Sequence, residues 1–327
     1  MKKLGANEKG VYAIAVTPFM PDGAVDNPSV DRMTDFYLSC GVSGLTILGM
    51  MGEAAKLDPD EALAICIQVV RRASVPVIVG VSAPGFAAMR SLARGAMDAG
   101  AAGVMIAPPP ALRTDDQIVN YYAQAVAAIG TDIPFVIQDY PLVLTVVMTP
   151  KVIRQIVMDN PSCVMLKHEE WPGLEKISAL RAFQREGSLR PLSILTGNGG
   201  LFLDFELERG ADGAMTGYAF PDMLVDAVKL AREGERDAAH NLFDAHLPLI
   251  RYEQQQSIGL AVRKYVLQKR GAIAYDSQRV PGAALSAAAK AEIDYLLGRL
   301  AHHDPRAGLI AHEHCSRKCP YKEILPS

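Results

Sequence analysis

The sequence predicts an α/β protein, a (β/α)8 TIM barrel followed by a three-helix extension. Three observations carry this expectation. Short β-type runs alternate with longer helix-period segments along the chain, and counting them gives eight units. The runs are almost continuously apolar, which is the pattern of parallel strands covered on both faces. The first run ends in Thr17-Pro18-Phe19 with no G-x-G-x-x-G after it, which argues against the rival open, doubly wound sheet.

The strand candidates span 11–19, 44–50, 75–82, 103–108, 134–140, 163–169, 193–198 and 213–217. Between them, 60–73 repeats apolar residues at helical spacing. Thr114 is a natural cap for a helix over 114–129, and Thr149 with Pro150 opens another over 150–158. The barrel is expected over 10–233 and the extension over 234–301, with helices at 240–251, 256–270 and 286–301. The extension is too small for an enzyme domain of its own; its apolar faces suit a subunit interface or the barrel wall. The tail, 302–327, reads as irregular. It carries His302, His303, His312, His314, Cys315 and Cys319, but their spacing fits no zinc-finger pattern, so no metal site is expected.

Composition narrows the function classes. The 327 residues are 50% hydrophobic, enough for a large core, and the formal net charge is −3. No basic block marks a nucleic-acid partner. No apolar run approaches the roughly 18 residues that would span a membrane. The charged start Met1-Lys2-Lys3 lacks a following apolar region, and the five cysteines are an odd number. Both features suggest a cytoplasmic protein with reduced thiols.

In such barrels the chemistry sits at the C-terminal ends of the strands. That rule selects Thr17, Glu53, Ser82, Gln138, Asp139, Tyr140, Lys167, His168, Glu169, Thr196, Asn198, Thr216 and Tyr218. Lys167 ends an apolar run, where burial is costly without a purpose. Desolvation favours its neutral amine, a nucleophile that condenses with carbonyls. The bland alternative is a solvated strand-end lysine. Strand alternation puts Lys167 and Glu169 on one face and His168 on the other, and likewise separates Gln138 from Asp139. Glu169 is then a general base or acid beside the lysine, or merely a rim ion pair.

The order and spacing of five segments resemble the dihydrodipicolinate synthase and N-acetylneuraminate lyase family of Schiff-base barrels. They are Thr17-Pro18-Phe19, Gly49-Met50-Met51-Gly52-Glu53, Val79-Gly80-Val81-Ser82-Ala83, Gly103-Val104-Met105 with Pro108-Pro109, and Leu166-Lys167-His168-Glu169. The resemblance implies a homotetramer that needs no cofactor, because Lys167 itself forms an imine with a small-molecule 2-keto acid. It also marks departures. Family hydroxyl residues that hold the keto-acid carboxylate are replaced by Met50 and Met51, whose thioethers donate nothing. Carboxylate capture then falls to the amides of the 49–53 loop, Gly52 included, or to Thr17 or Ser82. Gln138 stands where the family has its proton-relaying tyrosine, and Tyr140 lies two residues further on. The arginine that the synthases place shortly after the following proline is missing from Leu142-Val143-Leu144-Thr145. These departures argue against dihydrodipicolinate synthesis.

They are shared by the 2-keto-3-deoxyarabonate dehydratase branch of the family, to which the chain is similar. The likeness continues in Gly210-Ala211-Asp212-Gly213-Ala214-Met215-Thr216-Gly217, and in Leu247-Pro248-Leu249-Ile250 with Glu253 and Gln256-Ser257. The branch implies a lyase of sugar-acid catabolism that dehydrates a 2-keto-3-deoxy acid. Lys167, Glu169 and Gln138 would be catalytic. Thr17, Met50, Met51, Gly52, Tyr140, Gly197, Asn198, Met215 and Thr216 would contact the substrate. A pyruvate-releasing aldolase, a condensing enzyme and a non-catalytic keto-acid-binding barrel remain as alternatives. Glu53 is either part of this site or a structural cap within its loop.

Overall fold

The computed structural model describes residues 2–171 and 173–311. Eight parallel strands close into one barrel in sequence order. They are β1 (Gly10–Ile14), β2 (Gly44–Ile47), β3 (Val77–Gly80), β4 (Gly103–Ile106), β5 (Phe135–Asp139), β6 (Cys163–His168), β7 (Ser193–Thr196) and β8 (Gly213–Ala214). Each strand stops short of the apolar run that announced it. The reason is burial beyond the strand ends: Ala15, Val16, Leu48 and Val81 belong to loops, yet they are as buried as strand residues.

Around the barrel run α1 (Asn27–Ser39), α2 (Pro59–Arg72), α3 (Phe86–Asp98), α4 (Asp115–Ile129), the one-turn α5 (Pro141–Leu144), α6 (Pro150–Asp159), α7 (Leu174–Arg185), α8 (Leu203–Glu208) and α9 (Pro221–Glu233). Their starts are chemically specified. Thr114 and Gln117 form a capping box on α4, Asp58 and Glu61 another on α2, and Thr149 caps α6 ahead of Pro150. Two cores result. The larger lies between strands and helices, where Cys66 and Cys163 are buried as free thiols. The smaller fills the barrel interior with Tyr12, Ile14, Ile78, Met105, Val136, Met165, Leu195 and Met215. This inner stack fixes which residues face the mouth, because the next inward position above Met165 is Lys167 and above Val136 is Gln138.

The extension comprises α10 (Arg236–Glu253), α11 (Gly259–Lys269) and α12 (Ala287–Leu300). The tail is not irregular throughout, since α13 (Pro305–Ala311) follows Asp304. Its local cause is legible: the Asp304 side chain accepts from the Arg306 amide (2.9 Å), and Pro305 is preset for a first helical turn. His312, His314, Cys315 and Cys319 lie outside the described residues. Among the described residues, no helix is long and apolar enough to cross a membrane.

Candidate active site

The register of β5 on β6 pairs Gln138 with Lys167 and Asp139 with His168. The inward pair, Gln138 and Lys167, meets at the C-terminal mouth of the barrel. Glu169 continues the β6 line, its amide donating to Asp139 O (2.9 Å). The Glu169 carboxylate is the centre of the group. Its Oε2 receives Lys167 Nζ (2.9 Å) and Gln138 Nε2 (2.9 Å). Its Oε1 receives the Asn198 amide (3.1 Å). The close fit depends on Gly197, where a Cβ would lie 2.6 Å from Glu169 Oε1. Lys167, Gln138 and Glu169 are 6%, 3% and 5% exposed, so these are buried groups that still border an open cavity.

The outward pair does something else. Asp139 takes Lys176 Nζ (2.7 Å), and His168 lies against the same carboxylate (3.5 Å) while its Nε2 bonds Gly173 O (3.0 Å). Both side chains sit in the helix layer and clamp the back of β5 and β6, as alternation requires.

A cavity of about 480 Å³ opens beside Glu169. Met50, Met51, Tyr140, Asn198 and Thr216 line it, together with the three central residues. The Thr216 hydroxyl is buried without a partner among the described residues. Tyr140 is half-buried; burial, and then the Glu169 charge, push its hydroxyl above the ordinary tyrosine range. Five expected contacts do not line the cavity. Thr17 donates its hydroxyl to Gly52 O (2.6 Å), which ties the loop after β2 to the end of the β1 segment. Gly197 packs behind Glu169, and Met215 belongs to the interior stack. Ser82 accepts from the Ala107 amide (2.8 Å). In the loop itself, among the described residues, the Met50 and Met51 amides donate to no protein acceptor.

Glu53 is structural. Its two oxygens receive Lys264 Nζ (2.5 Å), Lys56 Nζ (2.7 Å) and the Arg279 amide (3.2 Å). Lys264 also donates to Thr17 O (2.8 Å) and Ser277 O (2.8 Å). This knot ties the β2 loop to the extension.

Sequence reasoning missed the extension's own contribution. The end of α10, the turn after it and the start of α11 lie over the mouth, and Glu253, Gln254 and Arg263 line the cavity. The signal was the polar run Glu253-Gln254-Gln255-Gln256, of which Glu253 and Gln256 entered only as part of the likeness to the branch and not as site residues.

A parallel barrel with a buried lysine, carboxylate and amide at its C-terminal mouth falls in the class of barrel enzymes. Comparison then fixes the family. The chain belongs to the Dihydrodipicolinate synthetase family, a family of lyases, which it matches over residues 7–299. It is 32% identical over 300 residues to L-2-keto-3-deoxyarabonate dehydratase of Azospirillum brasilense, covering 89% of this chain and 94% of that one. It is 31% identical over 242 residues to 4-hydroxy-tetrahydrodipicolinate synthase of Xylella fastidiosa (strain Temecula1), covering 73% and 77%. Among solved structures, a dihydrodipicolinate synthase from Rhodopseudomonas palustris superposes with a TM-score of 0.91 at 68% identity, covering 91% of this chain and all of that one.

Proposed function

We propose that the protein is a class I lyase that dehydrates a 2-keto-3-deoxy sugar acid through an imine on Lys167. The observation that carries this is the triad at the mouth: Glu169 holds Lys167 and Gln138 on one oxygen, beside an open cavity. To attack, the lysine must shed a proton, and the Glu169 carboxylate 2.9 Å away is the acceptor at hand. Its amine then adds to the C2 carbonyl, Glu169 gives the proton back to the departing oxygen, water leaves, and the protonated imine forms with Glu169 again a carboxylate. That imine draws electrons from C3. Glu169 removes a C3 proton, directly or through a water, giving an enamine. The enamine expels the C4 hydroxyl, which takes the C3-derived proton from Glu169 and leaves as water, and hydrolysis of the resulting imine frees Lys167. Gln138, an amide with no useful pKa, orients Glu169 and a substrate hydroxyl or water instead of moving protons. The Met50 and Met51 amides receive the C1 carboxylate.

Condensation with an aldehyde is the competing reading, because the names of two relatives given above are those of synthases. Gln138 in the place of a tyrosine, and no arginine between Leu142 and Thr145, favour dehydration. The test is a product assay on 2-keto-3-deoxy acids of five and six carbons. An oxo-acid product retaining every carbon supports dehydration. Pyruvate release supports an aldolase, and consumption of pyruvate with an aldehyde supports condensation. Expected companions of this reading are a homotetramer, a cytoplasmic location and no cofactor beyond the covalent lysine.

A further inference from the structure

The cavity has a second cationic group that the triad does not use. Arg263, on α11, lines it and is 13% exposed at its side chain. Its Nε donates to Glu253 Oε1 (2.9 Å), and Glu253 is 1% exposed. One anchored edge leaves the guanidinium oriented, and a guanidinium carries five donors in a fixed fork. Among the described residues, its two terminal nitrogens have no protein acceptor. Gln254 adds an independent sign of a ligand site, because its Nε2 is buried with no partner among the described residues. A buried donor without an acceptor is costly, and such groups in native structures call for an explanation.

The turn after β7 sets where these donors sit. Its Asn198 amide holds Glu169 Oε1 (3.1 Å). One residue on, Gly199 has φ +68° and packs against the Gln254 amide, and a Cβ there would come within 3.1 Å of an Arg263 terminal nitrogen. The same short turn therefore touches the carboxylate beside Lys167 and the donors from the extension.

We propose that Arg263 and Gln254 form the distal subsite: they receive the oxygen-bearing far end of the 2-keto acid whose C2 faces Lys167, and so select acids longer than pyruvate. The shared chemistry is a terminal oxygen acceptor, either a carboxylate gripped by two N–H groups or a hydroxyl. This rests on the imine reading of Lys167. It also gives the extension a role in recognition, since α10 and α11 carry the donors over the mouth.

The test is borohydride trapping followed by mass spectrometry, reading the concentration for half-maximal adduct. The probes are pyruvate, 2-oxoglutarate and a 2-keto-3-deoxypentonate. The proteins are wild type, Arg263→Lys and Gln254→Ala; the first variant keeps a charge beside Glu253, and the second leaves no charge unpaired. Wild type should trap at least one five-carbon acid at lower concentration than pyruvate. Arg263→Lys should weaken that acid about tenfold or more while shifting pyruvate less than twofold, with Gln254→Ala in the same direction but smaller. The larger loss with 2-oxoglutarate marks a distal carboxylate, and with the pentonate a distal hydroxyl. Equal losses for pyruvate and the longer acids, no loss in either variant, or wild type preferring pyruvate overturns the subsite. A wild type that traps none of the three overturns the imine reading itself.

Discussion

Glu53 and Glu169 are both buried carboxylates at the barrel mouth, each bonded to a buried lysine. Glu53 meets Lys264 at 2.5 Å, and Glu169 meets Lys167 at 2.9 Å. Their surroundings differ. Lys264 is fully enclosed, and all of its named acceptors are protein oxygens. Burial pulls its pKa down, while the Glu53 carboxylate opposes that shift. Lys167 and Glu169 border the cavity instead. A buried lysine–carboxylate pair is thus not a sign of chemistry by itself. What separates the two is access: one pair is sealed inside a joint between loop and extension, the other is open to a substrate.

The comparison can be broken by removing one member at a time. Lys167→Met should abolish both adduct formation and turnover, the largest effect expected; activity in this variant breaks the account at its root. Glu169→Gln should still form the imine yet lose about 10²–10⁴ in kcat, measured by steady-state kinetics. Gly197→Ala forces a Cβ against Glu169 and should cost about 10² in kcat, as a displaced catalytic group does, with the adduct still forming. Glu53→Ala should act on stability instead. An uncompensated Lys264 costs about 3–5 kcal/mol, read by denaturant unfolding, and the surviving folded fraction should still be trapped by keto acid.

The smallest expected effect concerns Glu206 on α8, which lies behind the site. Burial pushes its carboxyl from the ordinary 4.5 up to about 7. The folded chain therefore keeps a proton that the unfolded chain has released between those values. Stability contributed at low pH is lost as pH rises through that window. Glu206→Gln should raise the melting temperature at pH 8 and change it little at pH 4. An equal change at both pH values removes the titration argument.

Much of the barrel was legible in the sequence because its signals are local. Continuous apolar runs specify parallel strands, and Thr114 and Thr149 specify helix starts. Strand alternation also put Lys167 and Glu169 on the face opposite His168, and Gln138 on the face opposite Asp139, since a period of two needs no tertiary information. What stayed hidden depends on contacts between distant segments. The Thr17 hydroxyl turns to Gly52 O, 35 positions away, and nothing in Thr17-Pro18-Phe19 shows that. Met215 follows β8 like Thr216, yet it points into the interior stack while Thr216 reaches the cavity. Arg263 and Gln254 come from a segment whose helical pattern speaks only of packing. Their place over the mouth is set by where the extension folds back, which the Glu53–Lys264 knot fixes across 211 positions.

One measurement tests the central claim most directly. The protein is incubated with pyruvate, reduced with borohydride, digested and mapped by mass spectrometry. The account predicts one pyruvate adduct, on Lys167, with the fully enclosed Lys264 unmodified. No adduct, or an adduct on Lys264 in place of Lys167, would contradict it.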